Sequence, residues 1–167
     1  MVARLTDGTR VVIRPIRPSD RELLMRSRDR FSDESMHKRF LGPKPRLTNT
    51  ELRYLTEVDG DSHYALVAVP LEDLNAIVAT ARWVRQSGDP LTAEAAIIVA
   101  DEYQGKGLGR RLAHELADAA HARGIRRFVA TTLSDNRAAL ALLRTLDERL
   151  ESRYDHGLRE VVTHLAA

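Results

Sequence analysis

Cysteine is absent from this 167-residue chain, which excludes disulfides, thiolate metal sites and a cysteine nucleophile. Aromatic residues are scarce, at 5%, and no run of them forms the stacking series that single-stranded nucleic acid requires. No apolar stretch approaches the roughly 18 residues of a membrane span. The first ten residues lack the apolar segment of a secretory signal. The expectation is a cytoplasmic chain without nucleic-acid or membrane partners. Lysine is nearly missing too: 23 of the 26 basic residues are Arg. With 24 acids the net charge is +2, and no polybasic tail is present. Residues 1–60 hold 13 basic and 9 acidic side chains, interleaved as on a solvated helical face. His114-Glu115 is followed by Asp118 rather than a second His one turn on, so no zinc helix forms and no metal is expected.

What is present points to one domain over residues 1–167, 43% apolar and 30% charged, with enough core to fold. Hydrophobic periodicity predicts strands over residues 10–14, 63–69, 76–85, 92–99 and 126–133, then a hairpin of 149–154 with 158–165. Helices are predicted from a Ser19/Glu22 capping box to Arg30, over 33–41, and from a Thr48/Glu51 capping box to Val58. A break at Gly42-Pro43-Lys44-Pro45 separates the last two. A long helix from Gly107 to Arg123 carries Leu108, Leu112, Leu116 and Ala120 on one side, and a further helix covers 136–146. This order mixes an antiparallel meander with a βαβ crossover. It predicts an α/β (α+β) fold: a mixed, mostly antiparallel sheet of about seven strands with helices on both faces.

The most informative junction is Gln104-Gly105-Lys106-Gly107-Leu108-Gly109, between a strand and the long helix. Three glycines in five residues leave the backbone bare. First-turn helix N–H groups lack intrahelical partners and sit at the positive end of the macrodipole, so they suit a phosphate-bearing ligand. The spacing fits neither common phosphate motif. A Walker loop needs Ser or Thr after the Lys, and here Gly107 follows Lys106. A dinucleotide fingerprint needs G-x-G-x-x-G and an acid at the end of the next strand, and both are missing. On spacing alone, a plain glycine turn before an amphipathic helix stays open.

The motif resembles the pyrophosphate loop of the GNAT superfamily of N-acetyltransferases, Gln/Arg-x-x-Gly-x-Gly/Ala, matched by Gln104, Gly107 and Gly109. The resemblance implies that Gln104, Gly105, Lys106, Gly107, Leu108, Gly109 and Arg110 hold the diphosphate of acetyl-CoA. It implies that Ile97, Ile98 and Val99, on a splayed strand, pair with the pantetheine arm. Asn136 to Leu143 is similar to the family's N-x-x-A-x-x-L stretch, which places Asn136 near the cofactor thiol. The family often has Tyr where Leu143 stands, to protonate the departing thiolate. Leu143 cannot donate, nothing places Tyr103 or Tyr154 there, and no general acid is assigned.

Glu94 is the only ionisable residue in 93–99, ten positions before Gln104. In apolar surroundings a carboxyl tends to a raised pKa, suited to a general base. A solvent-facing strand residue is the alternative reading. Histone-type and bacterial Pat-type members carry a general-base Glu in a similar strand, which implies that role for Glu94. Residues 7–20, 32–40 and 58–63 also resemble the Pat-type protein lysine acetyltransferases. The acceptor so implied is a protein lysine, for example on an acyl-CoA synthetase, and the chain a monomer or homodimer. A small amine acceptor, or a CoA-binding module without turnover, remains open.

Overall fold

A computed structural model describes residues 1–42 and 47–165. Of the expected break at 42–45, residues 43–45 lie outside the described residues. Among the described residues, eight strands form one sheet in the order β1-β2-β3-β4-β5-β6-β8-β7. They are β1 (Val2–Arg4), β2 (Arg10–Pro15), β3 (His63–Pro70), β4 (Ala79–Gln86), β5 (Asp89–Val99), β6 (Arg127–Leu133), β7 (Glu151–Asp155) and β8 (Leu158–His164). All neighbours run antiparallel except β5 and β6. The crossover between those two is α4 (Leu108–His121). The other helices are α1 (Arg21–Ser27), α2 (Asp33–Phe40), α3 (Asn49–Thr56) and α5 (Arg137–Arg144).

The eighth strand is β1, which pairs with β2 through Val2–Val12, Ala3–Val11 and Arg4–Arg10. Three residues are too short for an alternation pattern, so only the pairing reveals it. The first helix also starts later than the Ser19/Glu22 pattern predicts. Pro18–Asp20 forms a 3₁₀ turn, and α1 begins at Arg21. Asp20 stands at the N-cap of α1 without a side-chain cap bond. Its carboxylate is turned back instead, accepting the Arg17 N–H at 2.8 Å and both Arg14 guanidinium nitrogens at 2.7 Å, which holds the 3₁₀ turn. The Thr48/Glu51 box is formed as expected at the head of α3.

Helix α4 packs on one face of the sheet, burying Leu108, Leu112, Leu116 and Ala120 among Leu66, Ala81, Trp83, Ala93 and Phe128. Each such leucine contributes roughly 1.5–3 kcal/mol. Trp83 is fully buried and stacks on Tyr64 at 5.7 Å, so it is core rather than cleft wall. On the other face, Leu24 of α1 and Leu52 of α3 cover Ala65, Val67 and Val69 of β3.

Candidate active site

Strands β5 and β6 stay paired only at Thr92–Arg127, Ala93–Phe128 and Glu94–Val129. Beyond that point β5 remains with β4 as far as Val99, while β6 pairs with β8 along its whole length. The two strands therefore part, and a cleft of about 410 Å³ opens between residues 95–99 and 128–132, bounded by α4 and α5. Along this edge β5 lacks a strand partner. The Val99 carbonyl turns into it and accepts the Gln104 side-chain amide at 2.9 Å. By the two-residue alternation of a strand, Ile97 and Ala95 present their N–H and C=O to the same edge. Five residues of strand make this edge roughly 17 Å long.

The glycine loop closes one end of the cleft. Gly105 and Gly107 have φ of +69° and +84°, left-handed values that side-chain-bearing residues disfavour. Gly107 is the N-cap of α4, and no side chain caps that helix. Its first-turn amides are left for an external acceptor, with the helix macrodipole behind them. Gly109 lines the cleft, and a Cβ there would sit in ordinary van der Waals contact with Val99 and Leu142 at 3.8 Å.

Ile97, Ile98, Val99, Gln104, Gly105, Gly107, Gly109, Arg110 and Asn136 all line this cleft, and Lys106, Leu108 and Glu94 do not. Lys106 points away. It pairs with Asp7 at 2.8 Å, lies over the Tyr103 ring, and accepts the Thr6 N–H on its carbonyl at 3.1 Å. The hydrogen bond from Lys106 holds the Asp7 carboxyl down at about 2. Leu108 is fully buried core. Asn136 caps α5, its Oδ1 accepting the Ala139 N–H at 3.1 Å. Glu94 marks the last paired position of β5 with β6, and its side chain is exposed rather than enclosed by apolar groups. The physical reason is alternation: Glu94 shares the face of Val84 and Val129, opposite the face that α4 covers. Tyr154 lies exposed on β7 and Tyr103 packs near Lys106; neither lines the cleft.

Sequence reasoning missed the contribution of α2, whose Ser35, Lys38 and Arg39 line the cleft. Helical spacing alone marks these as an ordinary polar face. The Ser35 hydroxyl donates to Asp101 at 2.9 Å and accepts from Gln104 at 3.0 Å, tying α2 to the glycine loop. Partial desolvation pushes the Asp101 carboxyl up, but hydrogen bonds from Ser32 and Ser35 outweigh it and hold it below its ordinary value. Deeper in, Arg82 of β4 is 6% exposed. It donates to the Leu55 carbonyl at 3.3 Å and meets His63 Nε2 at 3.1 Å. Burial and the neighbouring Arg39 charge lower Arg82 to about 10. Burial, then the Arg82 charge, lowers His63 to about 4.

A parted strand pair, a bare glycine loop and a helix N-terminus on one cleft now have a family to answer to. The acetyltransferase (GNAT) family model matches residues 28–147. The chain belongs to the GNAT acetyltransferase family. It is similar to acetyltransferase Pat of Mycolicibacterium smegmatis, 36% identical over 126 residues, covering 75% of this chain but 37% of that protein. It therefore spans well under half of that relative's length. A Pseudomonas aeruginosa acetyltransferase is 33% identical over 137 residues, covering 82% of this chain and 74% of that one. Among solved structures, the GNAT domain of S. lividans PAT matches with a TM-score of 0.87 and 29% identity, over 99% of this chain and 96% of that chain. The chain is thus a single GNAT fold over the residues described, with the mixed sheet that the sequence pattern predicts.

Proposed function

We propose that this acetyltransferase moves an acetyl group from acetyl-CoA to the ε-amine of a protein lysine, with Glu94 as the general base. The observation that carries the reading is the parting of β5 from β6 immediately beyond Glu94, so that one unpaired strand edge runs from the glycine loop to this carboxylate. Acetyl-CoA fits the donor set: loop and first-turn amides at Gly105, Gly107 and Gly109 with Arg110 for the diphosphate, and the Ile97 and Val99 backbone for the amide-bearing arm. Apolar Ala96, Ile98, Leu142 and Leu143 flank that arm. The bound thioester supplies the acyl carbon, and the protein's residues do the rest.

A lysine amine near pKa 10.4 is almost wholly ammonium at pH 7, and removing its proton costs about 4–5 kcal/mol. An exposed carboxylate at the end of the cleft can take that proton directly or through water as the amine approaches. With no cysteine in the chain, an acyl-cysteine intermediate is excluded and transfer is direct. The protein-lysine acceptor is supported by the likeness to the M. smegmatis Pat acetyltransferase and to the S. lividans PAT domain. The test is incubation with acetyl-CoA and either an acyl-CoA synthetase or a panel of polyamines, amino acids and aminoglycosides. Thiol release and mass spectrometry give the readout. Acetyl-lysine on the synthetase, with little release from the small amines, is the expected result. The reverse pattern would replace the acceptor.

A further inference from the structure

Guanidinium groups gather at a small cavity of about 50 Å³ under α2 and α3: Arg39 and Arg82 line it together with Arg28, Ile98, Thr80, Phe31 and Leu55. Arg39 and Arg82 are close enough that the Arg39 charge disfavours that of Arg82. No ion pair within 4 Å is formed by either residue among the described residues. Arg82 has only a neutral imidazole and a backbone carbonyl as partners. Arg39 stacks on the Phe40 ring and feels the Glu94 carboxylate only at a distance. Buried charge without a counter-charge is costly, and two like charges side by side compound it. Arg82, deep in the cavity wall, is thus left without a carboxylate partner within 4 Å among the described residues.

Its location decides what supplies that charge. Arg39 and Ile98 line both this cavity and the main cleft, so the two spaces meet there. The Glu94 charge acts on Arg39 from a distance, and Glu94 marks the end of the cleft remote from the glycine loop, the end that holds the acyl group in the reading above. The cavity lies between the helices and the sheet, and through Arg39 and Ile98 it adjoins the cleft, so the tail of a short acyl chain can reach it. We propose that Arg39 and Arg82 form a carboxylate pocket for the distal end of a dicarboxylic acyl group carried on coenzyme A, of which succinyl is the simplest of fitting length. In the transfer the amine nitrogen bonds to the thioester carbon and the C–S bond breaks. The nitrogen's proton passes to Glu94 and on to solvent. The thiolate takes a proton from solvent, and the distal carboxylate stays on the amide product unchanged.

This inference rests on the transfer reading for where the acyl end lies, and the experiment separates the two. Calorimetry measures the affinity of the wild type, Arg39→Gln and Arg39→Lys for succinyl-CoA and acetyl-CoA, with thiol release followed in parallel. The wild type is expected to prefer succinyl-CoA by about tenfold or more, as a fork-held carboxylate would give. Arg39→Gln is expected to bring that ratio near one, and Arg39→Lys to leave it between the two because the charge remains but the fork is lost. Arg82→Gln, with its fold checked by circular dichroism, repeats the test from the buried side. Equal wild-type affinities, or a ratio that Arg39→Gln leaves unchanged, overturns the pocket. A succinyl preference without thiol release from any amine supports the pocket and overturns the transfer reading instead.

Discussion

Replacing Gly107 by Ala separates two demands that the glycine loop meets at once. Gly107 has φ of +84°, and the nearest atom to an added Cβ is Thr6 Cγ2 at 3.8 Å. The cost to folding is therefore conformational rather than steric, about 1–2 kcal/mol for an L-residue held left-handed. For a chain of this size that lowers Tm by roughly 2–8 °C. The methyl group also intrudes on amides that would otherwise face the diphosphate. Losing one charge-assisted hydrogen bond, worth about 1.5–3 kcal/mol, weakens acetyl-CoA roughly tenfold to a hundredfold. Gly109→Ala is the control, because Gly109 is not left-handed and lies in the first turn of α4. Alanine favours a helix by roughly 0.5–1 kcal/mol over glycine, so Tm should hold or rise. Affinity should still fall, because the new methyl group stands between Val99 and Leu142 at the cleft wall. Calorimetry and a thermal melt on both variants give the answer. Wild-type acetyl-CoA affinity in Gly107→Ala refutes the loop's role, and an equal Tm loss in both variants refutes the backbone argument.

Glu94→Gln should retain acetyl-CoA binding and lose about 10²–10⁴ in turnover near pH 7; unchanged neutral-pH turnover would remove Glu94 as the base. The gap should narrow as pH approaches the amine pKa, since free amine then needs no base. Lys106→Ala should leave acetyl-CoA affinity within about threefold, because its ammonium faces Asp7, whereas Arg110→Ala at the cleft should weaken it several-fold more at low salt. His63 gives a pH signature. Its folded pKa of about 4 lies below the ordinary 6.5, so between those values the unfolded chain binds the extra proton. Stability is full above pH 6.5 and falls by up to about 3 kcal/mol as pH drops to 4. His63→Gln should flatten that slope in urea titrations, and an identical slope would show that another group carries it.

The sequence was most legible where local chemistry repeats. The leucine stripe of α4 and the Thr48/Glu51 box are short-range patterns, and both formed as expected. The three-residue β1 carried no pattern of its own. Glu94 illustrates a second limit. An apolar strand suggests enclosure, but alternation turns each second residue to the opposite face, and only packing says which face a helix covers. Lys106 illustrates a third. Two left-handed glycines rotate the chain through the loop, and spacing alone does not say where the side chain between them ends up. The pairing of Arg39 with Arg82 joins α2 to β4 across 43 residues of sequence, and nothing local signals it.

Hydrogen exchange with acetyl-CoA present tests the central claim most directly. The account predicts new amide protection confined to the unpaired edge of β5 at Ile97 and Val99 and to residues 105–110, with β2 and β3 unaffected. Unchanged exchange in those segments at saturating acetyl-CoA, or protection elsewhere alone, would contradict it.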